Sequence, residues 1–231
     1  MITTTVKISL LRRVSQNLYL LSVKLDKYRE WVPGMFFQLS LEAKTASEPW
    51  LDSRAFSFAS WGSADARALV RREGYFTTNL ISLAEKGFEG SIKYPLGNFL
   101  LNSKRDKVLL AGGAGISVFL SYLDYLNLTD VEPPRVYLIH SSKTEKEGAK
   151  YIYWNKMPKN SKLYQFITDP ADSAFTGRLD FSGLENIIQK LTEFDYFICG
   201  PKPFNEYWID ELGRRGLTVK AEQWILKEGA Q

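Results

Sequence analysis

The feature that most constrains the fold is a change of pattern after Leu101. Before it, short apolar-alternating segments separated by turn formers follow one another: Thr4 to Leu11, Leu18 to Leu25, Phe36 to Leu41, Ala55 to Ala59, Ala66 to Arg71 and Ser91 to Tyr94. One helical stretch interrupts them, from about Thr78 to Lys86. After the polar run Asn102 to Asp106, apolar strands alternate with helices. The strands are expected at Lys107 to Ala111, Arg135 to His140, Leu163 to Thr168, Tyr196 to Cys199 and Thr218 to Ala221, with helices near Ser117 to Leu126, Leu184 to Leu191 and Pro203 to Gly213. Many short strands imply an antiparallel β-barrel, and strand–helix alternation implies a doubly wound parallel α/β sheet. With 231 residues to divide, the expected domains are 1–102 and 103–231.

Composition removes several function classes. The single cysteine, Cys199, excludes an intrachain disulfide and a cysteine-ligated iron–sulfur cluster held by this sequence alone. The single histidine, His140, leaves no zinc ligand set, so no metal is expected and any redox chemistry is organic. The net charge of +4 is spread along the chain, which argues against nucleic acid and is compatible with an acidic protein partner. The apolar stretch Val108 to Leu123 is interrupted by three glycines and is too short to span a bilayer. The N-terminus lacks the pattern of an export signal, so a cytoplasmic setting is expected.

The sharpest local signal is Val108-Leu109-Leu110-Ala111-Gly112-Gly113-Ala114-Gly115-Ile116-Ser117, an apolar strand entering a glycine cluster that opens a helix. Glycines allow close backbone approach, and a helix N-terminus offers N–H groups to a pyrophosphate. Val118 stands where the usual dinucleotide fingerprint has its third glycine, so a ligand-less turn is the competing reading. Phe197-Ile198-Cys199-Gly200-Pro201 puts Cys199 at the carboxyl edge of the same sheet. Burial as a small hydrophobe is the bland alternative there.

In the first half, Arg54-Ala55-Phe56-Ser57 sets a cation, an aromatic ring and a hydroxyl on one strand, with Arg54 and Phe56 on one face and Ser57 on the other. Such residues suit a phosphate, a flat ring and a ring nitrogen; a surface arginine beside a core phenylalanine is the alternative. Arg71 to Thr78 brings Gly74 and two hydroxyls to the start of the helix, where a second phosphate can sit or Thr77 can act as N-cap.

These segments, in this order, resemble the ferredoxin-NADP reductase superfamily over nearly the whole chain. Pro33-Gly34-Met35-Phe36 is similar to its Pro-Gly-x-Phe strand, Arg54 to Ser57 to its Arg-x-Tyr-Ser flavin motif, and Pro95-Leu96-Gly97-Asn98-Phe99 to its barrel exit. The segments at Gly112 and Cys199 resemble its two nucleotide motifs, and Glu222-Gln223-Trp224 its acidic-x-aromatic segment. The sequence departs at Phe56, Ala114, Ser117 and Phe204, where tyrosine, threonine, proline and methionine are common.

The resemblance implies a Greek-key FAD-binding barrel followed by an NAD(P)-binding domain. It implies that Arg54 and Thr77 hold the FAD phosphates, that Phe56 packs on the isoalloxazine and that Ser57 lies near flavin N5. Ala55, Val70, Arg71, Gly74, Phe76, Thr78 and Trp224 complete the flavin set. Gly112, Gly113, Ala114, Gly115 and Ile116 are implied to cradle the nucleotide with Gly200 and Pro201, while Cys199 and Glu222 approach the site of hydride transfer. Ser142 and Lys143, at the end of the second strand, lean the choice between NADPH and NADH toward NADPH, although Lys143 reads equally as a solvated lysine. The implied activity is an NAD(P)H-dependent reductase passing electrons to a separate acceptor, such as a ferredoxin-like protein, an oxygenase component or a small molecule. A free-flavin reductase and a non-catalytic nucleotide-sensing subunit are the alternatives. Trp224 and the tail Ile225 to Gln231 would shield the flavin or meet a partner.

Overall fold

The computed structural model describes residues 1–153 and 155–222, so Gln223, Trp224 and the tail lie outside the described residues. Six antiparallel strands form the first sheet: β1 (Ile2–Arg13), β2 (Leu18–Leu25), β3 (Phe36–Ser40), β4 (Ser53–Ser57), β5 (Asp65–Arg71) and β6 (Phe88–Leu96). Their order, β4-β3-β6-β1-β2-β5, is that of a Greek-key barrel. The open seam closes where the Ala59 N–H donates to the Arg67 carbonyl (2.8 Å) and the Arg67 N–H to Ser60 Oγ (2.9 Å). Helix α1 (Tyr75–Ala84) connects β5 to β6 and buries Leu80, Ile81 and Ala84.

Five parallel strands form the second sheet: β7 (Asp106–Gly112), β8 (Val136–Ser142), β9 (Ser161–Ile167), β10 (Phe194–Cys199) and β11 (Val219–Glu222). They run in the order β11-β10-β7-β8-β9. Counted from β7, this is the doubly wound arrangement 3-2-1-4-5, with its reversal between β7 and β10. Helix α2 (Ser117–Leu128) and the short α3 (Ala149–Ile152) cover the face turned toward the barrel. Helices α4 (Phe181–Ile187) and α5 (Lys202–Gly213) cover the other.

Alternation along each strand assigns its side chains to these layers. Val108, Leu110, Tyr196 and Ile198 enter the α4–α5 core, whereas Leu109, Ala111, Phe197 and Cys199 enter the core shared with α2. β2 is buried on both faces: Tyr19, Leu21, Val23 and Leu25 fill the barrel, and Leu18 and Leu20 point outward into the α2 core with Leu69 of β5. Each such leucine contributes roughly 2 kcal/mol by burial, so the outer wall of the barrel is also the interface between the halves. Helix α2 is therefore buried on nearly every side, which explains why Val108 to Leu123 is so apolar. Among the described residues no helix is long and apolar enough to cross a membrane.

Two helices start three residues earlier than the sequence expectation. α1 begins at Tyr75, because extended Gly74 supplies the N-cap and Thr77 Oγ1 accepts the Gly74 N–H (3.2 Å) and the Glu73 N–H (3.0 Å). Thr77 thus stands in the first turn and is not the N-cap. α4 begins at Phe181, where the Asp180 carboxylate accepts the Gly183 N–H at 2.8 Å.

At the start of β7, Lys107 is fully buried, with Nζ 2.5 Å from the Ser103 carbonyl and 2.9 Å from that of Arg105, and 5.3 Å from the centre of the Tyr122 ring. Burial pulls its ammonium down to about 8 against the attraction of Asp195 and Asp106. A neutral amine has two N–H donors, which match the two carbonyls. Between pH 8 and the ordinary lysine value, the unfolded chain holds a proton that the folded chain has lost, so this group's share of stability rises with pH. The unfolding free energy of the wild type relative to Lys107→Met should therefore climb between pH 8 and 10, by on the order of 2 kcal/mol. A flat difference in denaturant titrations across that range would contradict the assignment.

Candidate functional site

On the barrel, β4 presents Arg54 and Phe56 to the start of α1. The Arg54 guanidinium lies 5.5 Å from the centre of the Phe76 ring, and the Phe56 and Phe76 rings are 6.3 Å apart at 29°. Phe76 belongs to the first turn of α1, whose opening N–H groups have no intrahelical acceptor and which carries no acidic residue. Arg54 donates to the Ser53 carbonyl (2.9 Å) and makes no ion pair among the described residues. A cation, two rings and a positive helix end thus converge, a donor set that fits a phosphate-bearing group with a flat apolar ring. Ser57, on the opposite strand face, is buried across from Phe36 of β3, while Ala55 and Thr78 are half-buried or exposed and Val70 enters the barrel core.

The second set of residues meets where the sheet order reverses. β7 ends at Gly112, a 3-10 turn spans Gly113–Ile116, and α2 follows directly. β10 ends beside it at Cys199, with Ala111 and Cys199 as register partners. The glycines answer to packing between these two turns. A β-carbon on Gly112 would lie 3.0 Å from Pro201 and 3.1 Å from Phe204, one on Gly200 would lie 3.0 Å from the Gly112 Cα, and one on Gly115 would collide with the Cys199 carbonyl. The sequence reading expected these glycines to make room for a ligand; at Gly112, Gly115 and Gly200 they make room for the neighbouring turn. Gly113 differs: its φ of 53° suits glycine, and the Arg71 guanidinium lies 3.4 Å from where a β-carbon would stand.

Cys199 is buried, and its register partner on β11 is Glu222. Burial pushes the Glu222 carboxyl up to about 7. The Asn205 side chain of α5 donates to the Glu222 carbonyl (2.8 Å) and so ties the end of β11 to the helix. Ser142, also buried, spends its hydroxyl on the Thr144 carbonyl (3.0 Å), whereas Lys143 is exposed.

The two halves meet at the rim of the crevice. Glu147 accepts from Arg71 of β5 (2.9 Å) and from Ser15 of the β1–β2 turn (2.6 Å). These bonds draw its carboxylate below the ordinary value against the opposing effect of burial. Arg71, expected on the flavin side, pairs with Glu147 and lies beside the Gly113 turn. His140, the one histidine, is fully buried between that turn and α3. Spacing alone carried no signal for His140 or Glu147, because their partners are backbone groups and residues more than 70 positions away. Among the described residues no cluster of three or more His, Cys, Asp or Glu is placed to hold a metal ion.

The ferredoxin reductase of a carbazole 1,9a-dioxygenase superposes with a TM-score of 0.76 over 95% of this chain and 69% of that one, at 20% identity. A ferredoxin-NADP+ reductase from Neisseria gonorrhoeae, solved with FAD and NADP, gives 0.72 over 96% and 98% at 18% identity. The chain shares its two-part fold with these reductases. In sequence, the chain is 26% identical over 218 residues to the anthranilate 1,2-dioxygenase electron transfer component of Acinetobacter baylyi, covering 89% of this chain and 61% of the relative. It is 28% identical over 210 residues to a flavohemoprotein of Rhizobium meliloti, covering 82% and 51%. The chain thus spans half to three fifths of the length of these relatives. No family model matches it.

A β-carbon at position 115 has no room beside the Cys199 carbonyl, so Gly115→Ala must push the two turns apart. Overpacking of this kind costs about 1–3 kcal/mol, or roughly 3–10 °C in Tm for a chain of this size. Thermal unfolding measures it, and a Tm equal to wild type would contradict the packing account.

Proposed function

We propose that this chain is a flavin-dependent reductase that takes reducing equivalents from NAD(P)H through FAD and delivers electrons to a separate acceptor. The carrying observation is the pairing, in one chain, of the Arg54–Phe76–Phe56 cluster at the α1 N-terminus with a glycine turn at the sheet reversal. The relatives named as electron transfer components of dioxygenases support an oxygenase or ferredoxin-like protein as acceptor. A cytoplasmic setting and a division into an FAD domain, 1–102, and a nucleotide domain, 103–231, belong to the same proposal.

Bound FAD would supply the exchange between two-electron hydride chemistry and one-electron steps that no side chain of this protein can perform. Arg54 and the opening amides of α1, with Thr77 fixing their geometry, hold the diphosphate. Phe56 and Phe76 would give the flavin an apolar wall, and the Ser57 hydroxyl is the group that the resemblance assigns to its ring edge. On the nucleotide side, the Gly113–Ile116 turn and the α2 N-terminus offer amide dipoles to the pyrophosphate, and Arg71 adds a cation beside Gly113. Cys199 and Glu222 close the reacting end against water, and Glu222 holds a proton up to neutrality. Lys143 and Ser142 stand at the next strand end, and the exposed ammonium favours a 2′-phosphate, hence NADPH.

Two outcomes test the proposal. Arg54→Ala should be purified with a flavin-to-protein ratio at least tenfold below wild type and an unchanged far-UV spectrum; equal flavin content would remove Arg54 from the site. In stopped flow, the rate of nucleotide-driven flavin reduction should change with an apparent pKa near 7, the value to which burial moves Glu222. In Glu222→Gln the profile should be flat from pH 6 to 8, and persistence of the inflection would assign it to another group.

A further inference from the structure

Glycine enters positive φ without strain and leaves it as easily, so Gly113 does not by itself hold its peptide in one orientation. The His140 side chain supplies the restraint. It lies on the barrel-facing side of β8, fully buried, with Nε2 2.9 Å from the Gly113 carbonyl and Nδ1 3.1 Å from the Ala149 N–H at the start of α3. A carbonyl only accepts and a backbone N–H only donates. The imidazole is therefore neutral, with its proton on Nε2, and every polar atom of the ring is used. The two backbone groups belong to neighbouring loops at the carboxyl end of the sheet: Gly113 opens the turn before α2, and Ala149 follows the segment that carries Glu147 to Arg71 and Ser15.

We propose that His140 is a positioning residue for nucleotide binding, which pins the Gly113 carbonyl inward so that the amides of the Gly113–Ile116 turn stay presented to a pyrophosphate. The inference rests on the reading of the β7–β10 crevice as a nucleotide site. The same clamp keeps α3 docked, and with it the Glu147 carboxylate that holds Arg71 above Gly113. A protonated ring would turn an Nδ1–H against the Ala149 N–H and open the clamp. Burial opposes that protonation and moves it to about 4, with Glu147 raising and Arg71 lowering the value as the charged groups nearby.

The test measures binding of ADP-ribose and of 2′-phospho-ADP-ribose to the flavin-loaded protein by calorimetry. These probes carry the pyrophosphate and no redox chemistry. Gln can reproduce one donor and one acceptor about as far apart as the ring nitrogens; Leu can reproduce neither. At pH 7.5, His140→Leu should bind the tighter probe at least about tenfold more weakly than wild type, the scale of one buried hydrogen bond lost, with flavin content unchanged. His140→Gln should stay within about threefold. Below pH 5 the affinity of wild type should fall relative to His140→Gln. Wild-type affinity in the Leu variant, or equal loss in folded Gln and Leu variants, would overturn the proposal. If the Leu variant does not fold, parallel pH profiles of wild type and His140→Gln would overturn it instead. Wild-type protein that binds neither probe would overturn the nucleotide reading itself, a different failure.

Discussion

The contact on which the rest of the structure depends is the one between two strand ends, Gly112 of β7 and Gly200 just beyond β10. A doubly wound sheet leaves a crevice where its strand order reverses, and here both walls of that crevice are turns from strand to helix. They can approach only because neither backbone carries a β-carbon at the contact. Pro201 and Phe204 then fill the space over Gly112, and the Cys199 carbonyl rests against Gly115. That approach fixes the spacing between the α2 N-terminus and the Cys199–Glu222 pair, and so the span that a dinucleotide would have to bridge.

The barrel completes the arrangement by packing on the same sheet face from which Cys199 and His140 project. Its outward leucines on β2 and β5 insert against α2, and its polar rim reaches across at Arg71 and Ser15 to meet Glu147. An apolar interface sets the distance, and the partly buried Arg71–Glu147 ion pair ties the two rims together. Burial lowers Lys107, at the opposite end of β7, and His140, beside the Gly113 turn, and raises Glu222, whereas hydrogen bonds hold Glu147 below its ordinary value. Near neutral pH His140 is uncharged, Glu222 stands close to its midpoint, and Arg71 is compensated by Glu147.

Both architectures were legible in the amino-acid sequence, because strand alternation and the strand–helix rhythm are local signals and the switch of pattern at Leu101 is abrupt. β2 was read to the residue, since Leu18 and Leu25 are bounded by Gln16-Asn17 and Asp26-Lys27. The cofactor-type segments were visible from residue chemistry, but their reasons were not. The glycines at 112, 115 and 200 read as ligand space, and only the fold reveals that each faces the neighbouring turn, Gly115 and Gly200 its backbone and Gly112 its Pro201 and Phe204 side chains. Thr77 read as a possible cap because a sequence does not say which residue adopts the extended N-cap conformation. His140, Glu147 and Lys107 carried no pattern at all: their partners are backbone carbonyls, an amide, and side chains brought close only by the docking of the two halves.

The central claim is that one chain places a flavin and a nicotinamide nucleotide within reaction distance. An absorption spectrum of the purified protein, followed under anaerobic conditions through additions of NADPH and then NADH, tests it most directly. The account predicts a stoichiometric flavin spectrum that bleaches on nucleotide addition, more readily with NADPH. A protein that carries flavin yet is reduced by neither nucleotide, or that neither holds nor reduces added flavin, would contradict it.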